Sequence, residues 1–171
     1  RYCTYDPADP AILGYGLVPE AGVIRQTFAG PDYTITVCYD AAAGLPPDAK
    51  LEVTEIPADS EEYRLYLTQA MAAMQDASGE EETPDVTFAR FFDIRFVVGD
   101  RIVEPILPVE VSIRYDEAVQ MGQEKTGRAI HFGQDGIEVL DVQTAGDGSN
   151  EDGSAHTFTY TQDSFSVSGT V

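Results

Sequence analysis

The sequence predicts a mainly β protein, an antiparallel β-sandwich with one inserted α-helix at about residues 60–75. Short runs of alternating apolar and polar residues recur along the chain, as in "YTITVCYD" from Tyr33 to Asp40. Turn-forming residues separate these runs at the short intervals typical of antiparallel strands. Only the segment "SEEYRLYLTQAMAAMQD" repeats its apolar residues at helical spacing.

The first half of the chain supplies two strands and the helix. The strand "YTITVCY" alternates apolar and polar residues, and the strand "KLEVTEI" follows the turn "AAAGLPPDA". Asp59 or Ser60 can cap the helix, whose first turn carries Glu61 and Glu62, where the helix dipole favours acidic side chains. The Tyr and Met stripe of this helix indicates core packing rather than a ligand site.

The second half of the chain reads as hairpins and single strands. "FARFFDIRFVVGDRIVEP" turns at Gly99-Asp100, and "LPVEVSIRY" follows it as an alternating strand. "RAIHFGQDGIEVLDV" predicts a second hairpin that turns at "GQDG". The polar stretch "AGDGSNEDGSA" is expected to be a loop, and "HTFTYT" and "SFSVSGTV" supply the last strands.

The domain organisation predicted from these elements is an N-terminal segment, residues 1–32, followed by one compact sandwich, residues 33–171. The chain has two cysteines, Cys3 and Cys38. A disulfide between them would attach the N-terminal segment to the sandwich and would fit an oxidising, extracellular setting. Two unrelated free thiols are the alternative.

The charge is strongly acidic, with 30 acidic side chains against 10 basic ones and a net charge of -20. This charge repels phosphate, so we expect neither nucleic acid nor an anionic lipid surface as a partner. No stretch approaches the ~20 apolar residues of a membrane span, so no membrane insertion is expected.

Calcium is the one cofactor that the charge suggests. Asp147, Ser149, Glu151 and Asp152 place oxygen atoms along the loop "GDGSNEDGS". The glycine and the distal glutamate of an EF-hand loop are missing from their places, and a flexible polar connection explains the composition equally well. We expect no other cofactor.

Four segments resemble, in order, segments of the ZU-five family, which is found in ankyrins and netrin receptors. They are "GLPPDAKLEV" (44–53), "EPILPVEVSIRY" (104–115), "DGIEVLDV" (135–142) and "DSFSVSGTV" (163–171). The chain is also similar to domains of large surface proteins of gut Gram-positive bacteria. The resemblance implies a non-enzymatic, extracellular stalk or adhesin module. Its partners would be neighbouring domains of the same chain and a host glycan or protein.

Some relatives of that family cut their own backbone at a Phe-Ser bond that follows a histidine. The matching bond here is Phe165-Ser166, but Ser164 stands in the histidine position and is not a base near neutral pH. Strand alternation places Ser166 opposite Phe165, on a solvated outer face. The sequence therefore favours an intact closing strand. Self-processing at this bond is the first alternative, and a carbohydrate-binding module of a secreted enzyme is the second.

The two histidines, His131 and His156, lack the spacing of a zinc site. His131 lies between two apolar residues, so we expect it to face away from the core, at the surface. Thr161 and Gln162 in "YTQD" are the residue types of an internal ester cross-link, but adjacency alone does not provide the geometry.

Overall fold

The computed structural model describes residues 22–79, 81–121, 126–145 and 154–171. Within these ranges the chain forms eleven strands, one α-helix and a short 3-10 helix at Ala41–Ala43. The elements in chain order are β1 (Val23–Ala29), β2 (Tyr33–Asp40), β3 (Lys50–Glu55), α1 (Glu61–Ser78), β4 (Arg90–Val98), β5 (Arg101–Val103), β6 (Val109–Gln120), β7 (Arg128–Gly133), β8 (Gly136–Asp141), β9 (Gln143–Ala145), β10 (Ser154–Gln162) and β11 (Val167–Thr170).

The strands form two antiparallel sheets. The first sheet has the order β1-β2-β6-β10-β9, and the second has the order β3-β4-β11-β7-β8. The short strand β5 pairs with the last three residues of β4, beyond the part of β4 that pairs with β11. The last strand in sequence, β11, therefore lies inside the second sheet between β4 and β7. The predicted mainly β fold, an antiparallel β-sandwich with one helix, is confirmed.

The main core lies between the two sheets and is rich in aromatic rings. In β2 the alternation buries every second residue, so Tyr33 and Tyr39 face the second sheet. Their rings contact Phe92 and Phe96 of β4 at centroid distances of 4.7 and 5.4 Å. Burial of large aromatic side chains is a major source of folding free energy, so these pairs hold the sheets together.

The helix covers the outer face of the second sheet. Ser60 caps it, since its hydroxyl accepts a hydrogen bond from the Tyr63 amide at 3.0 Å, and the helix ends before Gly79, which has a positive φ. Tyr63 and Tyr66 pack against Phe91 and Phe132, with centroid distances of 5.4 Å and 4.7 Å respectively. The second sheet is therefore buried on both faces where the helix crosses it.

The first strand, β1, lies within the segment that the sequence assigned to the N-terminus. It pairs with β2 along its whole length, from Val23 opposite Asp40 to Ala29 opposite Thr34. Residues 23–29 are therefore part of the first sheet, and the boundary predicted at residue 33 separates two paired strands.

The connection between β10 and β11 passes from one sheet to the other. β10 ends at Gln162 in the first sheet, and β11 begins at Val167 in the second. Residues 163–166 belong to no strand. The Phe165-Ser166 bond lies in this crossing.

Candidate functional site

Phe165 and Ser166 both direct their side chains toward the interior of the sandwich. The Phe165 ring is 6% exposed and contacts Phe96 at a centroid distance of 4.8 Å. The Ser166 hydroxyl lies 3.0 Å from Nε2 of His131. The prediction that Ser166 is a solvated spectator opposite Phe165 is wrong, because strand alternation does not apply to the irregular backbone of residues 163–166.

His131 is buried between the sheets, with 2% of its surface exposed. Its neighbours Ile130 and Phe132 pack on the helix side of the second sheet, so strand alternation turns His131 to the opposite face. That face looks onto the first sheet. The expected surface position is wrong because both faces of the second sheet are buried. A side chain that faces away from the helix therefore lies in the core between the two sheets.

Glu138 binds the second ring nitrogen of His131. Its Oε2 lies 3.1 Å from Nδ1. The two residues are directly opposite each other in the β7-β8 hairpin. A carboxylate at this position favours the tautomer in which Nδ1 carries the proton and Nε2 faces the hydroxyl with its lone pair.

The Ser166 hydroxyl has two acceptors within reach of its one hydrogen. It lies 2.7 Å from the carbonyl oxygen of Phe132 and 3.0 Å from Nε2 of His131. When the hydroxyl donates to Nε2, the imidazole is positioned to take its proton. Ser166, His131 and Glu138 are thus a nucleophile, a base and a carboxylate that orients the base, and we call them the Ser-His-Glu triad.

Ser164 is a more distant neighbour of the same imidazole. Its hydroxyl lies 3.4 Å from Nε2 of His131, against 3.0 Å for the hydroxyl of Ser166. The position before Phe-Ser therefore carries no base, as the sequence indicates. The imidazole comes instead from β7, a neighbouring strand of β11 in the sheet.

The backbone on both sides of the Phe165-Ser166 bond is anchored. The Phe165 amide donates to Oε2 of Glu104 at 2.8 Å, and the Ser166 carbonyl accepts from the Ile94 amide at 3.1 Å. Together with the packing of the Phe165 ring, these contacts fix the peptide unit beside the triad. A fixed geometry between reacting groups is what an intramolecular reaction requires.

Sequence reasoning missed Glu138, although a signal for it was present. The predicted hairpin turns at "GQDG", and the two-residue turn at Gln134 and Asp135 sets the register of the flanking strands. Counting back from Gly133 and forward from Gly136 places His131 opposite Glu138. Glu104 gave no comparable signal, because it approaches Phe165 from a segment 61 residues away.

Two other predicted sites involve residues that the structure does not describe. The calcium candidates Asp147, Ser149, Glu151 and Asp152 lie outside the described residues, as does Cys3. Cys38 is buried in β2, and its predicted disulfide with Cys3 stays a prediction.

His156, the second histidine, lies away from the triad. His156 lies in β10, where its Nδ1 is 3.0 Å from the Tyr115 carbonyl oxygen. In the ranges that the structure covers, no group of three or more His, Cys, Asp and Glu side chains is placed to hold a metal ion. Over the same ranges, no helix has the length and apolar character needed to cross a bilayer.

Compared with family models, with curated proteins and with solved structures, the chain gives no match.

Proposed function

We propose that this protein is a self-processing domain that cuts its own backbone between Phe165 and Ser166. One observation carries the proposal. The hydroxyl of Ser166 lies 3.0 Å from Nε2 of a buried histidine whose Nδ1 is held by Glu138. A serine with a positioned base and an orienting carboxylate is the arrangement that activates a hydroxyl for attack on a carbonyl.

The first step is an acyl shift from nitrogen to oxygen. Oγ of Ser166 attacks the carbonyl carbon of Phe165, and its proton passes to Nε2 of His131. The C–N bond then breaks, and His131 returns the proton to the leaving nitrogen of Ser166. The product is an ester between the Phe165 acyl group and Oγ of Ser166, with a free amino group on Ser166.

The second step is hydrolysis of that ester. A water molecule attacks the Phe165 carbonyl carbon while His131 accepts its proton, and the ester C–O bond breaks. Oγ of Ser166 recovers a proton from His131, and Phe165 is left with a new carboxylate. The overall reaction consumes one water molecule and needs no other reactant.

The segment after the cut is expected to stay in place. β11 is hydrogen-bonded to β4 on one side and to β7 on the other. Ser168 and Thr170 are fully buried, and their hydroxyls hydrogen-bond to Gln162 and Tyr115 of the first sheet. Both fragments should therefore elute together under native conditions and separate only after denaturation.

The family resemblance supports the same bond. Self-cleaving members of the family that the sequence resembles cut between Phe and Ser, and this chain has that pair in its closing segment. The difference is the residue before the pair, which is Ser164 in this chain. His131 supplies the imidazole that this position lacks.

Mass spectrometry under denaturing conditions tests the proposal. Wild-type protein should yield fragments 1–165 and 166–171, whereas Ser166→Ala and His131→Asn should stay intact. Ser112→Ala and His156→Asn are the matched controls, since they change the same residue types away from the triad, and they should be cut like wild type. A wild-type chain that stays intact on long incubation, or a cut that persists in Ser166→Ala, contradicts the proposal.

The extracellular stalk or adhesin role and the binding of a host glycan or protein remain predictions from the resemblance. Self-processing is compatible with that setting, because the pairing of β11 holds the two fragments together and the cut protein keeps its fold. Mass spectrometry with and without reduction and alkylation also tests the predicted Cys3-Cys38 disulfide.

A further inference from the structure

The atom that gains negative charge in this reaction is the carbonyl oxygen of Phe165. When Oγ of Ser166 attacks, that oxygen becomes an oxyanion, and hydrogen-bond donors around it lower the barrier. The Phe165 amide and the Ser166 carbonyl each have a partner. The Phe165 carbonyl oxygen accepts no hydrogen bond from the described residues. It is free to accept one when the charge develops.

A buried donor without a partner lies in the same connection. Gln162 is 2% exposed, and its Oε1 accepts a hydrogen bond from the Ser168 hydroxyl at 2.8 Å. Its Nε2 is shielded from solvent and donates to nothing among the described residues. Leaving a buried amide donor unpaired costs stability, so such a group calls for an explanation.

This amide is anchored between the two strands that flank the cut. Gln162 is the last residue of β10, three positions before Phe165. Ser168, which holds its Oε1, is two positions after Ser166 and directly opposite His131 in the β11-β7 pair. The Gln162 side chain therefore links the end of β10 in the first sheet to β11, the strand that follows the nucleophile. With Oε1 fixed by Ser168, the orientation of Nε2 is fixed as well.

We propose that Gln162 is a further catalytic residue of the cut, and that its Nε2 donates to the Phe165 oxygen as that oxygen becomes the oxyanion. The inference rests on the proposed self-processing function. It accounts for a buried side-chain donor and a backbone acceptor that both lack a partner among the described residues. Side-chain amides serve this purpose in other acyl transfer reactions.

The test compares cutting rates of newly synthesised chains. Wild type, Gln162→Met and Gln162→Glu are made by cell-free translation, and the uncut fraction is followed by denaturing mass spectrometry across a range of pH. Gln162→Met keeps the length of the side chain and removes the donor. Gln162→Glu keeps the acceptor for Ser168 and replaces the donor with an oxygen. Gln143→Met, at an exposed position of β9, is the control.

Loss of one oxyanion donor should slow the cut by roughly 10²–10³-fold in both Gln162 variants. In Gln162→Met the pH at which the rate is half-maximal should stay unchanged, since neither the amide nor the thioether titrates. Gln143→Met should cut at the wild-type rate. Circular dichroism and thermal melting show which variants are folded, and if Gln162→Met does not fold, Gln162→Glu decides.

A folded Gln162 variant that cuts at the wild-type rate overturns this inference and leaves the self-processing proposal standing. A slower cut of Gln162→Met with a shifted pH midpoint also overturns it, because the amide would then act through His131. A wild-type chain that is never cut overturns both proposals.

Discussion

The imidazole of His131 has partners on both ring nitrogens, and these partners differ in exposure. Nε2 faces Ser166 inside the sandwich, whereas the side chain of Glu138 on the Nδ1 side is 56% exposed. The base is thus shielded from solvent, while the carboxylate that orients it remains in contact with water.

Glu138→Gln should slow the cut while leaving the fold intact. The amide keeps a polar contact with Nδ1 but removes the negative charge that favours the tautomer with a free Nε2 lone pair. We expect a loss of about 10²-fold or more in rate. The same time course of uncut chain measures it.

Glu52→Gln is the matched control, since Glu52 is an exposed carboxylate in β3 of the same sheet. It should be cut like wild type. A Glu138→Gln chain that is cut as fast as this control would remove Glu138 from the triad.

At the scale of elements, β11 fits between its neighbours because residue 169 is glycine. A Cβ at Gly169 would lie 2.2 Å from Cδ1 of Phe91 and 2.7 Å from the carbonyl oxygen of Arg90. Phe91 is fully buried beneath the helix, so its ring has little room to move. The strand that follows the nucleophile is thus in close contact with the layer beneath the helix.

Gly169→Ala should reduce the free energy of unfolding by about 1–3 kcal/mol, as overpacking of a filled core does. Chemical denaturation of an uncut background, Ser166→Ala, measures it without interference from cutting. Gly79→Ala is the comparison, because Gly79 has a φ of 69° and nothing within 4 Å of an added Cβ. That variant should lose about 1 kcal/mol through backbone strain alone. Equal stability of Gly169→Ala and the background would contradict the packing argument.

Elements that depend on local sequence could be predicted, and those that depend on distant packing could not. The helix and the turn at Gln134-Asp135 follow from capping and turn residues close at hand. β1 is an edge strand with mostly exposed residues, so its apolar pattern is weak. The face on which His131 lies could not be predicted, because a helix more than fifty residues earlier in the chain covers the other face of its strand and packs against Ile130 and Phe132.

The candidate site shows the same division. Phe165-Ser166 could be singled out from the sequence, and the His131-Glu138 pair could be derived from the hairpin register. The meeting of Ser166 with His131 could not, because residues 163–166 leave the strand geometry on which alternation depends. The neighbours of β11 are set by the order of the strands in the sheet, and the sequence of the closing segment alone does not reveal that order.

At the scale of the whole molecule, Arg90 joins the two sheets. Its guanidinium makes two hydrogen bonds to Asp32 of the first sheet's β1-β2 turn, at 2.9 and 3.1 Å, and contacts Glu55 of β3 at 2.7 Å. It also lies 5.1 Å from the ring centroids of both Tyr33 and Tyr115. Burial works to lower the pKa of Arg90, but the hydrogen bonds to Asp32 and Glu55 outweigh it and raise that pKa above its ordinary value.

The Asp32 contact should make part of the stability depend on pH. The hydrogen bond from Arg90 lowers the pKa of Asp32 below its ordinary value of 3.8. The folded state therefore favours the ionised carboxylate, and this contribution is present above pH 3.8 and is lost as the pH falls through the lowered pKa. Asp32→Asn should lower Tm at neutral pH by about 1–3 °C, since an exposed carboxylate contributes little. The difference from wild type should shrink to nothing on acidification below pH 3.8.

Thermal melts of both chains across pH, in the Ser166→Ala background, measure this difference in Tm. Asp48→Asn, at an exposed loop position, should show no such pH dependence. A difference between Asp32→Asn and wild type that stays constant or grows on acidification would show that Arg90 does not hold the ionised carboxylate in the folded protein.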